Sequence, residues 1–163
     1  MKKIFLIAAI VYSVAANSQV TKVSLQASGL TCSMCSNAIN KALKTLDFVE
    51  KVDPNIKTST FEISLKPNSK VDFEKLKKKV EDAGFFVAGF TATIYFNNVK
   101  INSANAIIVG DKTLHFVNVK EQTLNGARNV RIINKGFVSS KEYKKSSIAL
   151  ESSANDKIYH VTI

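Results

Sequence analysis

Between residues 23 and 90 the apolar positions switch between a two-residue period and a roughly 3.6-residue period. The order of those switches restricts the fold more than any other feature. Val23, Leu25 and Ala27 alternate with Ser24, Gln26 and Ser28, as one face of a half-buried strand does. Gly29 interrupts the pattern. Ala38, Ile39, Ala42, Leu43 and Leu46 then recur three and four apart, the buried stripe of a helix, with Thr31 or Ser33 placed to cap it. Val49 and Val52 make a short second strand that ends near Pro54, and 55–59 reads as a turn. Phe61, Ile63 and Leu65 form a third strand that stops at Pro67. Asp72 is positioned to cap a second helix carrying Phe73, Leu76, Val80 and Ala83, which Gly84 ends. A fourth strand covers about 86–90. The expectation is an α+β unit over residues 19–92. In it, two helices cover one face of a four-stranded antiparallel sheet, the ferredoxin-like βαββαβ sandwich.

Cys32 and Cys35 are the only cysteines, and this order places Cys32 in the loop after the first strand and Cys35 in the first turn of the first helix. One pair is too few to staple a disulfide-built miniprotein, so apolar packing must supply the core; 45% hydrophobic content permits it. A helix N-terminus offers unpaired amide donors and a partial positive charge, and both favour thiolate over thiol. Two thiolates suit a soft ion, Cu(I) above the others, with Zn(II) and Hg(II) as alternatives. An ion held by two protein sulfurs stays open to a third from a partner, which suits a carrier rather than a structural site. The same spacing also permits a disulfide. The residues alone leave both readings open.

The run Gly29-Leu30-Thr31-Cys32-Ser33-Met34-Cys35 resembles the Gly-Met-Thr-Cys-x-x-Cys motif of heavy-metal-associated domains, and Glu81-Asp82-Ala83-Gly84-Phe85 resembles the end of that family's second helix. The family includes copper chaperones, N-terminal modules of copper-transporting ATPases and a periplasmic mercuric-ion-binding protein. The resemblance spans residues 20–92. It implies Cys32 and Cys35 as metal ligands, Phe85 as a shield for the site, and a metal-donor or metal-acceptor protein as partner. Leu30 replaces the family's methionine and matches it in volume. Met34 is expected to be exposed or folded over the site rather than a ligand.

Two other readings compete. One is a non-enzymatic adaptor with the cysteines oxidised. The other is a thiol-disulfide oxidoreductase, since a Cys-x-x-Cys pair at a helix start is also the thioredoxin layout. The chain lacks tryptophan, Pro54 and Pro67 are poorly placed for a thioredoxin-like site, and the element order differs. No enzyme activity is therefore expected.

From about Thr93 the helical pattern gives way to strand-like runs at 93–101, 106–109, 113–119, 129–133, 147–150 and 157–163, with one short helix at 139–145. Turn signals lie at Asn97-Asn98, Gly110-Asp111 and Asn125-Gly126. These imply a separate small all-β domain over 93–163, barrel-like and possibly of the oligonucleotide-binding (OB) type. His115 and His160 fall in alternating strand patterns and read as strand residues rather than ligands. Whether they meet is not decided by sequence. No histidine-carboxylate cluster, nucleophile elbow or phosphate loop is present.

Residues 1–18 have the layout of a secretory signal peptide, with Lys2 and Lys3, an apolar middle and small residues at Ala15, Ala16 and Ser18. The apolar run is about half the ~20 residues a membrane span requires. The expectation is export to a periplasm, with no stable membrane insertion after cleavage. Cleavage lowers the formal charge from +10 to +8. The remaining lysines are scattered apart from Lys75, Lys77, Lys78 and Lys79, which read as the solvated face of a helix, so no nucleic-acid partner is expected. Oligomeric state is left open.

Overall fold

Strand β1 (Gln19–Ser28) buries Val20, Val23, Leu25 and Ala27 and turns the intervening residues outward. The computed structural model of the protein describes residues 19–30, 32–145 and 158–163. Helix α1 (Ser33–Lys44) buries Ile39 and Leu43, and α2 (Phe73–Asp82) buries Phe73, Leu76 and Val80. Both stripes join one core with the inward residues of β1, β2 (Val49–Asn55), β3 (Thr60–Leu65) and β4 (Phe86–Ile101). Asp72 caps α2, accepting a hydrogen bond from the Lys75 amide at 3.1 Å, as expected. Gly84 follows α2 with φ +86°, which a side chain would strain. The strand order β2-β3-β1-β4, antiparallel throughout, is that of the ferredoxin-like sandwich. Pro54 lies within β2 rather than after it. It is tolerated there because β2 is an outer strand of the sheet.

The second half departs from expectation. A fourth strand of five residues and a separate strand over 93–101 prove to be one 16-residue strand, β4. β7 (Gln122–Ile132) pairs along it antiparallel, followed by β8 (Ile158–Thr162), β6 (Lys112–Phe116) and β5 (Ala106–Val109). Among the described residues the result is one eight-stranded sheet of order β2-β3-β1-β4-β7-β8-β6-β5. A separate barrel-like or OB-type unit is not found: the order is open, with β2 and β5 at its two ends, and residues 92 and 93 are both inside β4. The reason is a bulge. Asn97-Asn98 and Asn125-Gly126 read as two turns, but they face each other across β4 and β7, where the register skips from Phe96↔Gly126 to Val99↔Leu124. Asn98 (φ 49°) and Gly126 (φ 75°) take the left-handed conformation that also marks turns. The short helix is α3 (Ser140–Lys145), begun by a hydrogen bond from the Glu142 amide to Ser139 Oγ at 3.2 Å. The strand expected at 147–150 and the leader at 1–18 lie outside the described residues.

Four rings join the two halves. Phe73 of α2 lies 5.1 Å from Phe90 of β4 and 5.2 Å from Tyr159 of β8. Phe137, from the loop after β7, completes the ring of contacts at 5.2 Å from Phe90 and 5.7 Å from Tyr159. Each tilted or edge-to-face pair adds about 0.5–1.5 kcal/mol to the burial of its rings. A second tie is Lys112 of β6. Its ammonium is buried, donates to the Val71 carbonyl just before α2, and lies 2.6 Å from Asp111 and 5.1 Å from the centre of the Phe73 ring.

Because the core is shared, Phe137→Ala should lower unfolding stability by about 3–5 kcal/mol. Urea denaturation should show a single transition, by far-ultraviolet circular dichroism and by a probe in either half. Two separated transitions would refute a common core. Asp111 yields a pH prediction. Burial raises its pKa, but the hydrogen bonds and charges of Lys112 and Lys70 outweigh burial and hold it below the ordinary aspartate value. Its contribution is therefore complete above that value and is lost as pH falls through the lowered one. Asp111→Asn should cost on the order of 1–3 kcal/mol near neutrality and flatten the urea midpoint's acid dependence below pH ~4.

Candidate metal centre

β1 ends at Ser28, whose register partner is Phe86 at the start of β4, and Ser28 Oγ donates to the Phe86 carbonyl at 3.2 Å. The loop carrying the cysteines and the Gly84-Phe85 loop therefore leave adjacent strands at the same end of the sheet. Gly29 turns the chain away from β1 with φ +80°; no atom would meet a Cβ there, so backbone conformation rather than space calls for glycine. Leu30, in the place of the family methionine, packs against the core.

Cys32 is itself the cap of α1. Its backbone is extended (φ −142°, ψ 155°), its Sγ accepts from the Cys35 amide at 3.3 Å, and its carbonyl accepts from Ser36 N at 3.3 Å. Ser33, one of the two cap candidates, is instead the first helical residue, and Thr31 lies outside the described residues. The sulfur takes the place of the oxygen that Ser, Thr, Asn or Asp supplies in most caps. The first turn of α1 contains no acidic residue. Nothing anionic on that turn opposes the partial positive charge of the helix start, which faces the sulfurs. Cys32 and Cys35, with Cα atoms 5.5 Å apart, are joined as a disulfide. Cys32 is exposed and Cys35 half-buried. Met34 between them is 81% exposed and so is not folded over the pair. Phe85 is partly buried against the core, its amide bonded to the Val80 carbonyl, whereas Phe86 is exposed.

A cavity of about 560 Å³ opens at the same sheet end, lined in part by Ser28, Glu81, Phe86, Lys135, Val138 and Tyr143. The second half supplies its far wall, which sequence reasoning missed because no motif marks it. The only legible hint was the short helix, here α3. α3 is tied down by Arg131, whose guanidinium donates to both carboxylate oxygens of Glu142, at 3.0 and 2.8 Å. Elsewhere, β6 and β8 run parallel with His115 opposite His160, ring centres 5.3 Å apart. Burial, and then the charge of His115, hold the His160 pKa below the ordinary histidine value. Among the described residues no group of three or more His, Cys, Asp or Glu side chains converges to hold an ion. No helix of these residues is long and apolar enough to cross a membrane.

Taken together, the fold and the loop define an α+β sandwich that presents two sulfurs at the start of its first helix, beside a glycine-aromatic loop. The family model of the heavy-metal-associated domain matches residues 24–86, and the chain belongs to that family. Over 79 residues it is 37% identical to the mercuric transport protein periplasmic component of Pseudomonas fluorescens, covering 48% of this chain and 84% of that protein. Copper chaperone CopZ of Staphylococcus epidermidis is 30% identical over 67 residues, 41% of this chain and 97% of that protein. A probable copper-exporting P-type ATPase of Archaeoglobus fulgidus is 34% identical over 71 residues, 44% of this chain but only 9% of the ATPase. The chain thus spans a small fraction of that enzyme's length.

The exposure of the loop predicts the order of thiol chemistry. After reduction in native buffer, both thiols should alkylate with iodoacetamide without denaturant, Cys32 before Cys35. Peptide mapping by mass spectrometry checks this, and labelling that requires unfolding contradicts the geometry.

Proposed function

We propose that the protein carries a soft metal ion, Cu(I), between the thiolates of Cys32 and Cys35 and passes it by ligand exchange to a partner protein. The observation that carries this reading is the sulfur pair at the capped start of α1, within a family domain whose Gly84-Phe85 loop leaves the same sheet end. Family relatives named as a copper chaperone and as mercuric transport proteins support soft-ion handling. Hg(II) and Zn(II) are the secondary cargoes of this reading. The disulfide must first be opened by a two-electron reduction, for which a dithiol reductant supplies the electrons. Two thiolates then hold the ion, and a third from the partner enters before one of the first two leaves. The exposure of Cys32 gives that third sulfur its route. Phe85 limits water at the loop. Residues 1–18 direct the chain to a periplasm, 19–92 handle the ion, and 93–163 brace that unit. The role is carriage rather than catalysis.

A second reading rests on one specific observation, the closed disulfide: an adaptor in which Cys32–Cys35 stays oxidised and carries no ion.

Anaerobic titration of the reduced chain with Cu(I) against a chromophoric chelator should give one ion per chain. Cys32→Ser/Cys35→Ser should lose the competition by at least about two orders of magnitude, given the preference of Cu(I) for thiolate over hydroxyl. Equal affinity in that variant would remove the sulfur site. Native material that stays bridged under mild reductant would favour the adaptor.

A further inference from the structure

The chain has two histidines, forty-five residues apart, and the fold sets them side by side. His115 on β6 and His160 on β8 are register partners in a parallel pair, with ring centres 5.3 Å apart and 82° between planes. Their neighbours Leu114, Phe116, Tyr159 and Val161 are buried in the core, so both imidazoles lie on the opposite face, half-buried. Nδ1 of His160 is buried without a hydrogen-bond partner. An orphaned ring nitrogen in that position is costly unless something accepts its lone pair. The backbone beneath it is held: Asn134 Oδ1 accepts from the His160 amide at 2.6 Å, and Asn134 Nδ2 donates to the Ile158 carbonyl at 3.1 Å. On the other side, His115 faces Ala106 of β5, a small exposed residue that adds no bulk beside the His115 ring.

We propose that His115 and His160 form a second metal site, for a borderline divalent cation such as Zn(II), distinct from the sulfur pair. Neutral imidazole offers one lone pair per ring, a donor that suits Zn(II) and other borderline divalent cations. Water completes the coordination. In the strand order β1-β4-β7-β8-β6, the two histidine strands lie three and four spacings from β1. At about 4.8 Å per spacing that is roughly 14–19 Å, too far for one ion to bridge both sites.

The test uses the full chain with its disulfide closed, so that the sulfurs are bonded to each other and the result is independent of the Cu(I) reading. Zn(II) is added while the imidazole ¹⁵N resonances are followed; with two histidines in the chain, every such signal belongs to the pair. Both rings should shift together and saturate at one equivalent. Calorimetry should show binding weakened roughly tenfold or more in His115→Gln and in His160→Gln, as expected when a ligand is lost. No shift, a shift of one ring alone, or undiminished affinity in either variant overturns the proposal. Should a variant fold poorly, the ring shifts of the unaltered chain decide.

Discussion

The two-sided pairing of β4 is the interaction on which the rest of the structure depends. In a β2-β3-β1-β4 sheet, β4 would be an outer strand with a row of unsatisfied amides and carbonyls, and such a margin must be paired, covered or blunted. Here β4 is longer than the sandwich requires, and β7 runs along its free side from Ile101 to Thr91. The 93–163 segment is therefore an extension of the first sheet. The Asn98–Gly126 bulge allows so long a ladder to hold without flattening the sheet, because the added residue increases local twist.

That pairing also explains why the cysteine loop has a firm base. The loop hangs from the Ser28–Phe86 end of the β1–β4 ladder, and β4 is held from both sides. Phe137 reaches from the far half to Phe90 four residues further along β4, and Lys77 of α2 caps the Phe137 ring at 4.9 Å. Gly29, Leu30 and the Cys32 cap then set the sulfurs at the helix start. What remains adjustable is the sulfur chemistry itself, closed as a disulfide or reduced to two thiols.

The sandwich was legible in the sequence because each of its elements carries its own local signal: alternation in β1 and β3, a three-four stripe in α1 and α2, Asp72 and Gly84 as punctuation. The cysteine pair was legible for the same reason. The second half was less so. Asn97-Asn98 and Asn125-Gly126 mark left-handed backbone, and a sequence cannot say whether that conformation reverses the chain or bulges a strand. Residues 122–128 (Gln-Thr-Leu-Asn-Gly-Ala-Arg) carry little apolar alternation, since β7 draws much of its stability from pairing with β4. Cys32 was read as part of a loop because sulfur is an uncommon cap. The meeting of His115 with His160 follows from a parallel β6–β8 pairing, a long-range choice that no local pattern encodes.

Pro54 has one further consequence. It sits in the outermost strand on the α1 side and supplies no amide hydrogen. A second molecule trying to add its own strand there would find a missing rung in the ladder. That margin is poor ground for templated stacking, and a concentrated solution of the protein is guarded against knitting into fibrils from that flank of the sheet.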